Sequence, residues 1–291
     1  MTGVDISGDQ DRAGRTGTPA RLADLVGDLE PFTAGVRGRL ARSYRCEAAP
    51  RLLTPADIWT RFDCGLLVAP YFGVLLNGVA VPLADVTVTR VVLKRRMAAY
   101  ARAAAVRERF DTGHTVRLAR PDHWHPGIKD LVAALRDELR AEAGCEALLS
   151  PPGAAGARAG GGAGEGETFL LQLDGRATAV VGAAGESFTL RPGDVLYVPG
   201  GRPYTTTAGD GGCLHLAVTV QQPTPRDLAE LALARFLQGP RTEEVAGTHH
   251  FMTIDEKVGW LRTELAAHLA AQDDAELVAE AVKIRRRTGQ A

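Results

Sequence analysis

Long apolar runs, paired cysteines and an excess of one charge are all missing from this 291-residue chain. The longest apolar stretch, Gly65 to Val86, is interrupted by Pro70, Asn77 and Pro82, so it does not read as a bilayer-spanning helix. Met1 to Ala20 is polar and lacks the apolar centre of an export signal. The four cysteines, Cys46, Cys64, Cys145 and Cys213, stand apart with no Cys-x-x-Cys spacing, which argues against a disulfide framework or a zinc site and for reduced thiols. Lysine plus arginine number 34 against 35 acidic residues, so no global field draws nucleic acid or an anionic membrane. These absences predict a cytoplasmic protein with neither membrane nor nucleic acid as partner. Its length suits one large domain with a smaller one appended.

What is present is concentrated between Glu165 and Val220. Short runs of Phe, Leu, Val and Thr alternate there with Gly, Asp and Pro every few residues, the pattern of consecutive strands in an antiparallel sandwich or barrel. Arg191-Pro192-Gly193-Asp194 puts Pro and Gly at the centre of a turn that delivers the chain into the strand Val195 to Val198.

Elsewhere the chain reads as scaffold. Residues 1–20 are predicted to be a disordered tail. Leu22, Leu25, Val26 and Leu29 share one helical face, and Thr54-Pro55-Ala56-Asp57 starts a second helix whose Ile58, Trp59 and Phe62 face a core. Residues 66–93 read as strands with a hairpin at Asn77-Gly78, and alanine-rich Ala98 to Phe110 reads as a helix. His123 and His125, spaced as metal ligands can be, are followed at once by Pro126 and read better as a loop-to-helix junction. Pro151 to Gly166 is so rich in glycine that it should be mobile, either as a lid or as a decayed site loop. Beyond Gln221 three capped helices follow, the last running into Arg285-Arg286-Arg287, whose charges suit a helix C-terminus.

Phe169 to Arg176 (FLLQLDGR), Leu190 to Gly201 (LRPGDVLYVPGG) and Cys213 to Val220 (CLHLAVTV) resemble the JmjC-type cupins of the bacterial ribosomal-oxygenase group. Pro31 to Leu40, Ala147 to Gly156 and the helical tail fall in the order that the resemblance requires. It implies a mainly β fold with α, a double-stranded β-helix or cupin jelly roll with flanking helices and a C-terminal helical dimerisation segment. The expected division is a tail over 1–20, flanking elements over 21–115, the cupin core over 116–222 and the helical segment over 223–291. Members of the family are Fe(II)- and 2-oxoglutarate-dependent protein hydroxylases.

The family's site residues do not carry over. Its His-x-Asp ligand pair falls on Gly162 and Gly164, and its second histidine on Tyr204. The lysine that grips the far carboxylate of 2-oxoglutarate falls on Ala177, and an asparagine that helps hold the co-substrate falls on Glu146. The expectation is therefore a JmjC-like cupin with no cofactor, acting as a binding or partner subunit for a peptide or protein. It would be a homodimer, or a heterodimer with a related active subunit. Two alternatives stay open. One is an Fe(II)/2-oxoglutarate hydroxylase with unusual ligands, for which Glu165 and Glu167 could be a displaced pair, although their odd offset from the family ligands turns them to the opposite strand face. The other is a metal-independent enzyme with Tyr204 and His215 as acid and base. Arg202 and Arg158 are candidates for binding a carboxylate or phosphate in the pocket.

Overall fold

The computed structural model describes residues 17–159 and 166–288. The chain divides into two compact units, residues 1–134 with 144–219, and residues 135–143 with 220–291.

The first unit opens with the short helices α1 (Leu22–Val26) and α2 (Leu29–Pro31), separated by Gly27 at φ 74°, and a π-helical turn over Phe32–Val36. Leu22, Leu25 and Val26 are buried, but the break turns Leu29 outward. Strand β1 (Arg42–Arg45) leads to α3 (Pro55–Asp63), where Thr54 and Asp57 form a reciprocal capping box and Ile58 and Phe62 are buried. Strands β2 (Phe72–Leu76) and β3 (Val79–Ala80) meet at Asn77-Gly78, both left-handed, as a two-residue hairpin requires. After α4 (Leu83–Val86) come β4 (Thr87–Val92), β5 (Arg95–Ala101) and α5 (Ala103–Asp111). Ala98 to Ala101 is thus strand, not helix. Pairing across the hairpin, from Val92↔Arg95 to Thr87↔Ala101, outweighs the helix propensity of three alanines.

The remaining strands are β6 (Thr115–Ala119), then, after α6 (Pro126–Leu139), β7 (Glu142–Ser150), β8 (Ala155–Ala159), β9 (Glu167–Val181), β10 (Glu186–Leu190), β11 (Asp194–Val198) and β12 (Tyr204–Gln221). They form one sheet in the order β1-β11-β9-β12-β7-β6-β2-β3, with β10 added to β9 and β8 to β12. The glycine-rich segment expected to be mobile therefore contains a paired strand, since Ala155 to Ala159 lies along Tyr204 to Thr207. The rest of that segment, residues 160–165, and most of the expected tail, residues 1–16, lie outside the described residues.

Strand β9 changes partner midway, pairing with β11 through Thr168–Leu171 and with β10 through Ala177–Val181. Gly175 marks the change. It has φ 65°, and a Cβ there would stand 2.2 Å from the carbonyl oxygen of Gly212, so only glycine lets β9 and β12 approach so closely. Side chains on one strand face gather into a cluster of Leu75, Leu148, Leu170, Ala179, Val181, Leu190, Leu196, Val198, Tyr204 and Ala217. On the opposite face of β9 and β11, Phe169 and Tyr197 pack with Phe32 of the π-helical turn.

In the second unit α7 (Pro225–Leu237), α8 (Pro240–Ala246), α9 (Ile254–Ala271) and α10 (Asp274–Thr288) pack around Phe236 and Ala232, with Phe236 against Trp260 and His268. Arg285 Nη1 donates to Asp227 Oδ2 at 2.5 Å and ties α10 to α7. Among the described residues no helix is long and apolar enough to cross a membrane.

Candidate functional site

Strand alternation decides which side chains can share a site. On β9, Leu170 faces the ten-residue apolar cluster, and Thr168 and Gln172 share its parity, while Glu167, Phe169 and Leu171 point the other way. On β12, Tyr204, Thr206 and Ala208 are buried while Thr205 and Thr207 are exposed.

A small polar niche adjoins the apolar cluster. Thr115 Oγ1 lies 2.9 Å from Ser150 Oγ and donates to the carbonyl of Ala155 at 2.9 Å. Gly156 covers the same place. A Cβ on it would stand 2.5 Å from Thr206 Oγ1, 3.2 Å from His215 Cε1 and 3.3 Å from Ser150 Oγ. His215 is buried, and neither ring nitrogen has a hydrogen-bond partner among the described residues. With no anion to compensate, burial pushes its pKa down to about 4, so the ring is neutral at pH 7. The Cys213 thiol is pushed up to about 11 by burial, against hydrogen bonds with Gln172 and Ser150 that favour the thiolate. Gln172 Nε2 donates to Asp174 O at 2.7 Å, and its Oε1 is buried without a partner.

The sequence-predicted residues separate into distinct surroundings. Tyr204 sits in the apolar cluster and His215 in the polar niche. Ala177 is buried in a small cluster with Ala208 and Cys213. Glu167 is engaged elsewhere. Its carboxylate accepts from Arg37 Nη2 at 2.6 Å, Arg37 Nε at 3.1 Å and Tyr197 Oη at 2.7 Å, while Tyr197 Oη accepts from the Gly38 amide at 2.8 Å. This network fastens the N-terminal turn to β9 on the face away from Leu170. Burial, with the neighbouring Glu167 charge, raises the Tyr197 phenol well above its ordinary value, which keeps it a proton donor to Glu167. Arg202 donates to Arg39 O at 2.9 Å and pairs with Glu186 at 3.4 Å. Glu146 is half-buried; burial raises its pKa, partly offset by Arg117 at 3.9 Å. Arg158 lies on β8 opposite Thr205, its side chain beyond the described atoms. Gly162, Gly164 and Glu165 lie outside the described residues.

The histidines after β6 behave as a helix start. His125 Nδ1 accepts from the Ile128 amide at 3.3 Å, and burial lowers the His125 pKa. His123 Nδ1 lies 3.4 Å from Tyr71 Oη. Among the described residues no three His, Cys, Asp or Glu side chains converge as metal ligands. Sequence reasoning overlooked Ser150, Thr206, Gln172 and Cys213; of these, Gln172 shares the parity of Leu170 and Thr206 that of Tyr204, while Ser150 and Cys213 carried no such signal. The partnership of Arg37 with Glu167 spans 130 positions and had no local signal.

A family model described as the JmjC domain matches residues 178–228. The chain is 32% identical over 148 residues to the bifunctional lysine-specific demethylase and histidyl-hydroxylase NO66 of Branchiostoma floridae, a match covering 50% of this chain and 24% of that protein. The Escherichia coli ribosomal oxygenase YcfD superposes over 86% of this chain and 69% of its own, with TM-score 0.55 and 16% identity. Residues 178–228 match the JmjC domain, and the chain has the fold of the ribosomal oxygenase YcfD. A second YcfD structure, in complex with cobalt and 2-oxoglutarate, matches over 87% of this chain and 72% of its own at TM-score 0.55. The stretch aligned with NO66 spans about a quarter of that protein's length.

Proposed function

We propose that this JmjC cupin binds a peptide or protein partner and works without iron or 2-oxoglutarate. The observation that carries the reading is the occupant of the second-histidine slot, Tyr204, whose ring lies in one cluster with Leu170, Leu196 and Ala217. Iron of this type needs imidazole and carboxylate donors with open coordination positions. Gly162 and Gly164 carry no side-chain donor, and Ala177 has no ammonium for the far carboxylate of 2-oxoglutarate. Glu167 is held by Arg37 and Tyr197 on the other strand face. The donor set does not fit the group that the relatives' chemistry implies.

A partner surface is available on α9. Ile254 is 72% exposed, and Val258, Leu261 and Leu269 follow it at helical spacing, also exposed. A second copy of this chain, or a related active subunit, covers this stripe in our reading.

Iron reconstitution followed by elemental analysis, and succinate release from 2-oxoglutarate in the presence of oxygen, test the proposal together. Neither bound iron nor succinate is expected. Stoichiometric iron with succinate formation establishes the rival reading, a hydroxylase with unusual ligands, which the relationship to NO66 favours.

A further inference from the structure

The hairpin of β4 and β5 is a two-stranded sheet of its own, outside the ten-stranded one. Its base is fastened. Arg90 Nη1 donates to Gly65 O at 2.6 Å, the Arg90 guanidinium lies 5.3 Å from the Tyr100 ring centroid, and the backbone amides of Ala69 and Ala101 donate to the carbonyls of Ala99 and Leu67 respectively. Its tip is bare. Leu93 is 93% exposed and Val91 70%, and Val92 and Met97 are exposed as well. Lys94, Arg95 and Arg96 follow directly, and none of their side chains has a hydrogen-bond or ion-pair partner among the described residues.

Charge and turn chemistry set this hairpin apart from the rest of the chain. Thr87 to Ala101 holds Arg90, Lys94, Arg95 and Arg96 and no carboxylate, a local excess hidden by the near-zero total. Leu93 and Lys94 have φ 48° and 63°, the left-handed pair of a two-residue hairpin turn. The β2–β3 turn meets the same demand with Asn77-Gly78. Placing leucine and lysine there costs backbone energy and puts an aliphatic group and a cation at the extreme of the hairpin.

We propose that the β4–β5 hairpin docks on anionic phospholipid bilayers, with Leu93 entering the acyl boundary and Lys94, Arg95 and Arg96 at the phosphate level. The register supports a partner that surrounds the tip. Val92 stands opposite Arg95, Val91 opposite Arg96 and Met97 opposite Arg90, so both faces present an aliphatic side chain beside a cation. A bilayer surface supplies anions at one depth and hydrocarbon just beneath, on all sides. A nucleic acid would neutralise the cations but leave Leu93, Val91 and Met97 in water. An acidic peptide added to a strand edge would leave the tip leucine bare. With three tip cations and one leucine, the attachment is reversible and salt-sensitive.

The test is co-sedimentation of the full chain with vesicles of phosphatidylserine and phosphatidylcholine, against phosphatidylcholine alone, at low and high salt. Wild type is expected to pellet with the anionic vesicles only, and less as salt rises. Each cation near an anionic surface contributes about five-fold, so Lys94→Glu, Arg95→Glu and Arg96→Glu together should weaken binding by about 100-fold or more. Leu93→Ser should weaken it about ten-fold without changing the salt dependence. All four positions are exposed, and near-UV circular dichroism should report an unchanged fold. Failure of wild type to pellet with anionic vesicles, or equal pelleting of the variants, overturns the proposal. So does tighter binding of duplex DNA or polyglutamate that depends on the same residues.

Discussion

His215 makes the interior of the cupin sensitive to acid in a calculable way. Its pKa is about 4 in the folded chain against an ordinary value of 6.5, because the ring is buried with neither nitrogen paired. Between these values the unfolded chain binds a proton that the native chain does not, so native stability falls as the pH falls through this window. At 1.36 kcal/mol per pH unit, the loss from this one group is about 3 kcal/mol at pH 4 and nil above pH 7. Replacing His215 with Leu removes the titrating ring and two unsatisfied nitrogens while keeping much of the volume. The variant should lie within about 1.5 kcal/mol of wild type at pH 7. Relative to wild type it should gain about 3 kcal/mol on going to pH 4. Urea unfolding across that range measures the difference. In a Trp260→Phe background, Trp59 and Trp124 report the first unit alone. A variant-minus-wild-type difference that stays flat from pH 7 to 4 refutes the reasoning, as does a large loss at pH 7, which would mean that the ring makes a strong hydrogen bond.

Glu167→Ala should destabilise the first unit by roughly 3 kcal/mol, because Arg37 and Tyr197 lose a charged partner in a mostly buried place. A Glu167–Arg37 double-mutant cycle read by urea unfolding should give a coupling well above the ~0.5 kcal/mol of a surface pair. Gly156→Ala should cost about 1–3 kcal/mol by forcing Thr206 and His215 apart, measured the same way. Leu261→Glu on the exposed stripe of α9 should convert a dimer to a monomer in sedimentation velocity while leaving helical circular dichroism intact. Ala177→Lys alone should create neither 2-oxoglutarate binding nor succinate release, and turnover by that variant would contradict the binding-protein reading.

The parts of the fold that were legible in the chain are those where turn chemistry and alternation agree. Arg191 to Asp194 is a tight turn closed by the Asp194 amide on the Arg191 carbonyl, and it leads into β11 as its Pro-Gly centre implied. The capping boxes at Thr54, Thr224 and Thr253 each start a helix. The odd offset of Glu167 from the family's ligand positions put it on the other strand face, and in the structure it bonds to Tyr197 on the face away from Leu170. What misled was composition without partners. Ala98 to Ala101 prefers helix in isolation but is held by β4, and the glycines after Pro151 hid a strand that exists because β12 offers it hydrogen bonds. The turn at Leu93-Lys94 has no turn residue at all, so the hairpin could be read only from its pairing. At the candidate site, the sequence named individual positions, while the sorting of Tyr204 into an apolar cluster and His215 into a polar niche depends on which strands cross.

The most direct test of the central claim is a calorimetric titration of 2-oxoglutarate into the protein with Mn(II) standing in for iron under anaerobic conditions. The account predicts no saturable heat, with or without the metal, because Ala177 and the glycines at 162 and 164 leave neither carboxylate nor chelate a partner. Loss of the charge-assisted contact alone is worth roughly 1.5–3 kcal/mol, ten- to a hundred-fold in affinity. Metal-dependent binding at micromolar concentration, in one-to-one stoichiometry, would contradict it.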